Sequence, residues 1–194
     1  LRGTPFIYEG EELGMTNVCW ESIDDYDDIS SHGQYELALK EGFSPAEAMR
    51  FVHFNSRDNA RTPMQWNDGE NAGFTTGIPW LPANENYRTI NAAAEEKDAD
   101  SVLSYYKKLI HLRKTNSVLL NGVYEELLAE SEQIYAFSRT EGNCRVVVAV
   151  NFSVEEAVLP TDFLKGTCLI GSYADAPHTA LRPLEAVVYE EEVG

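Results

Sequence analysis

The sequence predicts an α+β chain, mixed as far as residue 117 and all-β, as an antiparallel sandwich, over 118–194. Three observations carry this prediction. Ser44-Pro45-Ala46-Glu47 is a helix start, a helical apolar period runs over 100–115, and beyond Asn121-Gly122 the period falls to two.

At the beginning of the chain, Phe6-Ile7-Tyr8 running into Glu9-Gly10-Glu11-Glu12-Leu13-Gly14 reads as a short buried strand followed by a glycine-rich loop. Residues 18–31 are aromatic and acidic without steady period, so a loop is expected, and then a short helix over 33–40 closed by Gly42. Ser44 at N-cap, Pro45 at the first helical position and Glu47 at N3 form a capping-box pattern, which places a helix over 45–54. The stretch 55–90, rich in Asn, Gly, Pro and Thr, is too long for an idle connector in a compact domain. Val102, Leu103, Tyr106, Leu109, Ile110 and Arg113 share one face of a helix over about 100–115, with Lys107, Lys108, Arg113 and Lys114 toward its C-terminus, where cations favour the dipole. That stripe reads as core.

Strands are expected at 123–128, 133–139, 144–150, 157–159, 166–170 and 186–190, with Glu141-Gly142-Asn143 as a hairpin turn. Six or seven short strands over roughly 75 residues make a small sandwich, near the lower end for an independent domain. Tyr124, Tyr135, Phe137, Phe152, Tyr173 and Tyr189 mostly take alternating positions that suit a core. A free carbohydrate-binding module, which needs a row of exposed aromatics, is therefore disfavoured for this part.

With 15 basic against 32 acidic residues and a formal charge of −17, the chain repels phosphate backbones and anionic membranes, so neither nucleic acid nor membrane is expected as a partner. The acidic runs at 24–28, 95–96 and 190–192 read as solvated surface. Cys19, Cys144 and Cys168 are odd in number and far apart, and read as free, buried thiols in a reducing cytoplasm. His32, His53, His111 and His178 lie apart without ligand or triad spacing, so no metal, cofactor or catalytic histidine is expected. The start at Leu1, without a methionine or a leader, gives the expectation of a fragment.

Residues 56–66, Ser-Arg-Asp-Asn-Ala-Arg-Thr-Pro-Met-Gln-Trp, gather two guanidiniums, a carboxylate, two amides and an indole in one irregular stretch. Forked planar donors suit vicinal hydroxyls, and an indole offers a flat apolar face to a pyranose ring. No catalytic carboxylate pair is visible beside them. Glu11 and Glu12 cannot supply one, because neighbours on an extended chain point to opposite sides.

These motifs resemble the α-amylase superfamily of glycoside hydrolases, most closely its oligo-1,6-glucosidase and α-glucosidase branch. The resemblance covers essentially the whole chain. Residues 3–15 resemble the family's segment at the eighth barrel strand, 56–66 and 71–75 the loop region after it, and 16–18 with 21–26 add detail of the branch. Asn151-Phe152-Ser153 and residues 181–186 resemble its C-terminal β domain.

The resemblance implies the last strand and helix of a (β/α)₈ barrel over 1–117, followed by the β-sandwich domain over 118–194. A whole barrel takes about 250 residues. A retaining glycosidase needs two carboxyls about 5 to 5.5 Å apart; no motif that matches the family's nucleophile or acid/base is present, so no catalytic residue is assigned in this chain. The implied parent is a cytoplasmic α-glucosidase acting on α-1,6 or α-1,4 gluco-oligosaccharides, with a fragment that does not turn over. Trehalose-6-phosphate hydrolase, sucrose isomerase and the non-catalytic transporter heavy chains are the alternatives.

By resemblance, Arg61 contacts the terminal glucose; the plainer alternative is that it only pairs with Asp58. Arg57 and Asp58 are candidate sugar contacts that read more readily as braces of the loop. Glu36 could approach the leaving-group subsite or be a solvated helix glutamate, and Glu12 shapes the barrel mouth or is held by backbone N–H groups. Trp66 reads as a packing anchor. With its barrel neighbours absent, the strand at Phe6 to Tyr8 is expected to leave an unpaired edge and the face carrying Val102, Tyr106 and Ile110 an apolar patch, with self-association, strand exchange or disorder over residues 1 to about 95.

Overall fold

A computed structural model describes residues 1–175 and 179–194. The chain divides into two compact units, residues 6–107 and residues 1–5 with 108–194, so the division falls inside a helix between Lys107 and Lys108. It is a mixed α+β chain with an antiparallel sheet.

The unit over 6–107 is built on two helices, α1 (Ile29–Lys40) and α2 (Pro45–Asn55). α1 starts four residues earlier than the sequence predicts, because Asp28 caps it and its side chain accepts the Ser30 N–H at 3.1 Å. Gly42, at φ 92°, takes the left-handed turn that follows α1. α2 begins as predicted: the Ser44 hydroxyl accepts the Glu47 N–H at 3.3 Å, and the Glu47 carboxylate accepts the Ser44 N–H at 2.9 Å. Val18, Tyr26, Met49 and Val52 form the core here, with Trp20, Ile23 and Tyr35 packed against it. Residues 56–91 run through single 3₁₀ turns at Arg57–Ala60, Glu70–Gly73 and Glu85–Arg88, and a short helix α3 (Ala92–Glu95) follows.

Three expectations fail. Phe6-Ile7-Tyr8 is not a buried strand: Phe6 is 94% exposed, and the Tyr8 N–H goes to the Glu11 carboxylate at 2.9 Å. A strand needs a ladder partner, and among the described residues 6–107 contain no strand. The helix α4 (Val102–Thr115) forms, but none of its residues is buried, so its apolar stripe is not core in this chain. Period decides which face of a helix is apolar and leaves open what covers it. The cysteines are not buried either, since Cys19 is exposed and Cys144 and Cys168 are half-buried.

Among its described residues the second unit holds α5 (Ser117–Asn121), which the strand-like reading beyond residue 117 omits, and seven strands: β1 (Val123–Leu127), β2 (Ile134–Glu141), β3 (Cys144–Asn151), β4 (Ala157–Val158), β5 (Thr167–Gly171), β6 (Ala180–Leu181) and β7 (Ala186–Glu192). β1-β2-β3-β7-β5 form one antiparallel sheet and β4-β6 a second. Gly142, at φ 61°, and Asn143 form the two-residue turn between the paired Glu141 and Cys144, as predicted.

One face of the large sheet buries Ile134, Ala136, Val147, Ala149, Val187 and Tyr189 against Ala157, Leu159 and Leu181. The other face sets Val146 and Val188 against Val118 of α5. Cover on both faces accounts for the near-continuous apolar run in β3. Among the aromatics read as core, Phe137 and Tyr189 are buried, whereas Phe152 (70%) and Tyr173 (44%) lie exposed.

Candidate functional site

The 56–66 stretch folds back on itself because its polar side chains cap their own turn. The Ser56 hydroxyl accepts the Asp58 N–H at 3.1 Å, and Asn59 accepts the Val18 N–H at 3.0 Å while donating to the His53 carbonyl at 3.1 Å. These bonds fix Arg57 and Arg61 on either side of a single 3₁₀ turn.

Beneath the turn lie two fully buried carboxylates. Asp58 Oδ2 accepts the backbone N–H groups of Asp27 and Asp28 at 2.8 and 2.9 Å, and Oδ1 accepts from Arg61 Nη1 at 3.3 Å. Asp28 takes Arg57 Nε on Oδ1 at 3.0 Å, with Arg57 Nη2 on the same oxygen. Its Oδ2 receives the Arg57 N–H and the Ser31 hydroxyl, each at 3.2 Å. The Arg57 guanidinium holds the Asp28 carboxyl far below the ordinary carboxylate range against the opposing effect of burial, and Asp28 in turn raises Arg57. Each arginine is thus held from below while part of its side chain stays open, 59% for Arg57 and 36% for Arg61.

The other predicted positions are not brought to this cluster by any bond. Glu36 sits on α1 with its side chain 70% exposed, 3.8 Å from Lys40 one turn on. Glu12 accepts the Gly10 N–H at 2.9 Å, so its carboxylate serves the backbone of its own turn. Trp66 is 50% exposed and is not a buried anchor; its backbone, bonded to Ala72 and Ala93, ties the loop down in its place. His32 and His53 spend a ring nitrogen on the carbonyls of Tyr26 (2.7 Å) and Trp20 (3.0 Å), while His178 lies outside the described residues. Among the described residues, no group of three or more His, Cys, Asp or Glu could hold a metal ion, and no helix is long and apolar enough to cross a membrane.

Asp28 is the residue the sequence reading leaves out. It lies inside the acidic run 24–28, which composition presents as solvated surface, and its N-cap position is the one local signal that sets it apart.

The family model of the alpha-amylase catalytic domain matches residues 1–122. The chain is 46% identical to the oligo-1,6-glucosidase of Parageobacillus thermoglucosidasius over 98% of its own length and 36% of that relative's. Among solved structures it resembles the trehalose-6-phosphate hydrolase of Bacillus licheniformis, with a TM-score of 0.89 and 38% identity over 98% of this chain and 36% of that one. It also resembles the isomaltulose synthase of Klebsiella sp. LX3, with a TM-score of 0.84 and 43% identity over 97% and 35%. The chain therefore spans little more than a third of the length of these relatives. With the domain model matching residues 1–122 and a relative 46% identical over 98% of this chain, the chain belongs to the alpha-amylase family.

Proposed function

We propose that these 194 residues are the C-terminal part of a retaining, cytoplasmic α-glucosidase that hydrolyses α-1,6 or α-1,4 bonds of short gluco-oligosaccharides, and that Arg61 contacts the terminal glucose. The observation that carries the reading is the pair of arginines set on buried carboxylates with their guanidiniums partly open. Such donors are pre-organised for hydroxyl pairs and lose little freedom on binding. Arg57 is a further contact in this reading. Asp58 acts from beneath, through Arg61, and Glu36 belongs to the helix surface.

The chain by itself carries no turnover in this reading. Asp28 and Asp58 are occupied by arginines and backbone N–H groups, and Glu11 and Glu12 by the N–H groups of Tyr8 and Gly10. A retaining displacement needs one carboxylate free to attack and one to carry the proton. Incubation with a chromogenic α-glucoside should release no chromophore; hydrolysis that survives purification and disappears in Arg61→Ala would overturn that part.

Substrate class is tested separately by titrating the chain with isomaltose, maltose and trehalose 6-phosphate while following the arginine Nε–H resonances by NMR. Isomaltose should perturb Arg61, and Arg61→Ala should abolish the response to every sugar. A response to trehalose 6-phosphate alone would transfer the reading to the trehalose-6-phosphate hydrolases, to which the chain is also similar at 37% identity in Bacillus subtilis. The exposed apolar residues Phe6, Val102 and Ile110 support self-association as a further part of the proposal. Sedimentation that shows a monomer at all concentrations would remove it.

A further inference from the structure

Trp80 lies outside the 56–66 stretch, yet one hydrogen bond ties it to the same network. Its indole Nε1–H donates to Asp27 Oδ2 at 2.9 Å, while the Asp27 backbone N–H donates to Asp58 Oδ2 at 2.8 Å. Asp58 carries Arg61, and the next residue, Asp28, carries Arg57. One short path of hydrogen bonds therefore joins the edge of an indole to both guanidiniums.

The indole is held by its polar edge and left open elsewhere, with Trp80 66% exposed. A tryptophan that serves packing buries its rings, because those rings carry most of its favourable transfer energy. Trp80 does the reverse. The carboxylate that fixes its N–H restricts rotation of the ring without covering it, and Pro79 before it narrows the backbone choices of the preceding segment. An open, apolar plane tied through Asp27 to the carboxylates that carry the forked hydroxyl donors suits a pyranose ring, which presents C–H groups on its faces and hydroxyls around its rim.

We propose that Trp80 is a stacking platform for a glucose ring of the oligosaccharide, and that Asp27 is the positioning residue that holds the indole plane. The inference rests on the reading of the arginine loop as a gluco-oligosaccharide site. In this arrangement Arg61 takes the hydroxyls of one ring and Trp80 the face of another, so that Trp80 favours ligands of two or more rings over glucose.

The three tryptophans, Trp20, Trp66 and Trp80, give three indole N–H resonances, which can be followed by NMR as the chain is titrated with isomaltotriose and with glucose. The Trp80 resonance should move with isomaltotriose and much less with glucose. Trp80→Ala should weaken isomaltotriose binding about fivefold and Trp80→Phe by less than about twofold, the scale of one aromatic contact. Asp27→Ala, which removes the acceptor of the indole N–H and leaves the Asp27 backbone N–H on Asp58, should broaden the Trp80 resonance. Movement of the arginine Nε–H signals with Trp80 silent, or undiminished binding by Trp80→Ala, overturns the platform and leaves the sugar-site reading standing. Silence of arginines and tryptophans alike overturns both.

Discussion

Asp58 and Arg61 form an ion pair of unequal members: the carboxylate has no exposed surface, whereas the guanidinium 3.3 Å away keeps 36% of its side chain open. The buried partner is fixed by two backbone N–H groups, so the pair works as a mount for the arginine and adds little as a surface salt bridge.

Removal of that mount should disturb the backbone more than the charge. Asp58→Ala leaves the Asp27 and Asp28 N–H groups without their acceptor and should cost on the order of 3 kcal/mol, since each buried unsatisfied donor costs about 1–3 kcal/mol. Asp58→Asn keeps an acceptor and should cost less than half as much. Chemical denaturation of the two variants checks the ranking, and amide exchange at Asp27 and Asp28 should accelerate most in the alanine variant.

The Asp28 and Arg57 pair should set part of the acid limb of stability. The Arg57 hydrogen bond lowers the Asp28 carboxyl by more than burial raises it, so its folded pKa lies below the unfolded value of about 3.9. A depressed carboxylate contributes stability that is present above the unfolded pKa and is lost as pH falls toward the folded one. Stability should therefore drop as pH is lowered below about 4, and Asp28→Asn should flatten that drop. Because Arg57 is largely open to solvent, 1 M salt should weaken the pair's contribution. Urea titrations at pH 3 and pH 6 measure both effects.

Elements were legible in the sequence where local chemistry decides them. Ser44 and Glu47 announce α2 by mutual hydrogen bonds that need no other part of the chain, and Gly142-Asn143 sets its hairpin by backbone preference. Phe6-Ile7-Tyr8 shows the opposite case, since β propensity cannot make a strand without a ladder beside it. Arg57, Asp58 and Arg61 could be picked out together by density, but not the carboxylate beneath Arg57, which comes from 29 residues earlier in the chain. Trp80, 53 residues from Asp27, was hidden for the same reason.

The capping box at α2 should be measurable alone. Ser44→Ala removes the hydroxyl that accepts the Glu47 N–H and should cost about 1 kcal/mol. Ser44→Thr should restore most of it. If both variants melt with the unchanged chain, the box adds nothing to the stability of this helix.

Asn151 should be the most sensitive polar position of the β unit. Its side chain is fully buried at the end of β3. Nδ2 donates to the carbonyls of Glu155 (2.7 Å), Arg182 (2.9 Å) and Leu181 (3.3 Å), and Oδ1 accepts the Ser153 N–H (2.9 Å) and hydroxyl (2.8 Å). One amide thereby joins the turn after β3 to the chain after β6, segments that also meet through the Leu184 N–H on the Ser153 carbonyl (3.1 Å) and the β4-β6 pairing. Asn151→Ala strands a buried donor and several carbonyls and should cost on the order of 3 kcal/mol. Asn151→Asp keeps both bonds from Ser153 but turns a carboxylate oxygen toward three carbonyls, so at neutral pH it should be at least as damaging. It should recover partly as pH falls toward 4, when the protonated acid can donate again. Thermal melts of both variants at pH 4 and pH 7 test this, and an aspartate variant that melts higher at pH 7 than at pH 4 would show that Oδ1 and not Nδ2 carries the connection.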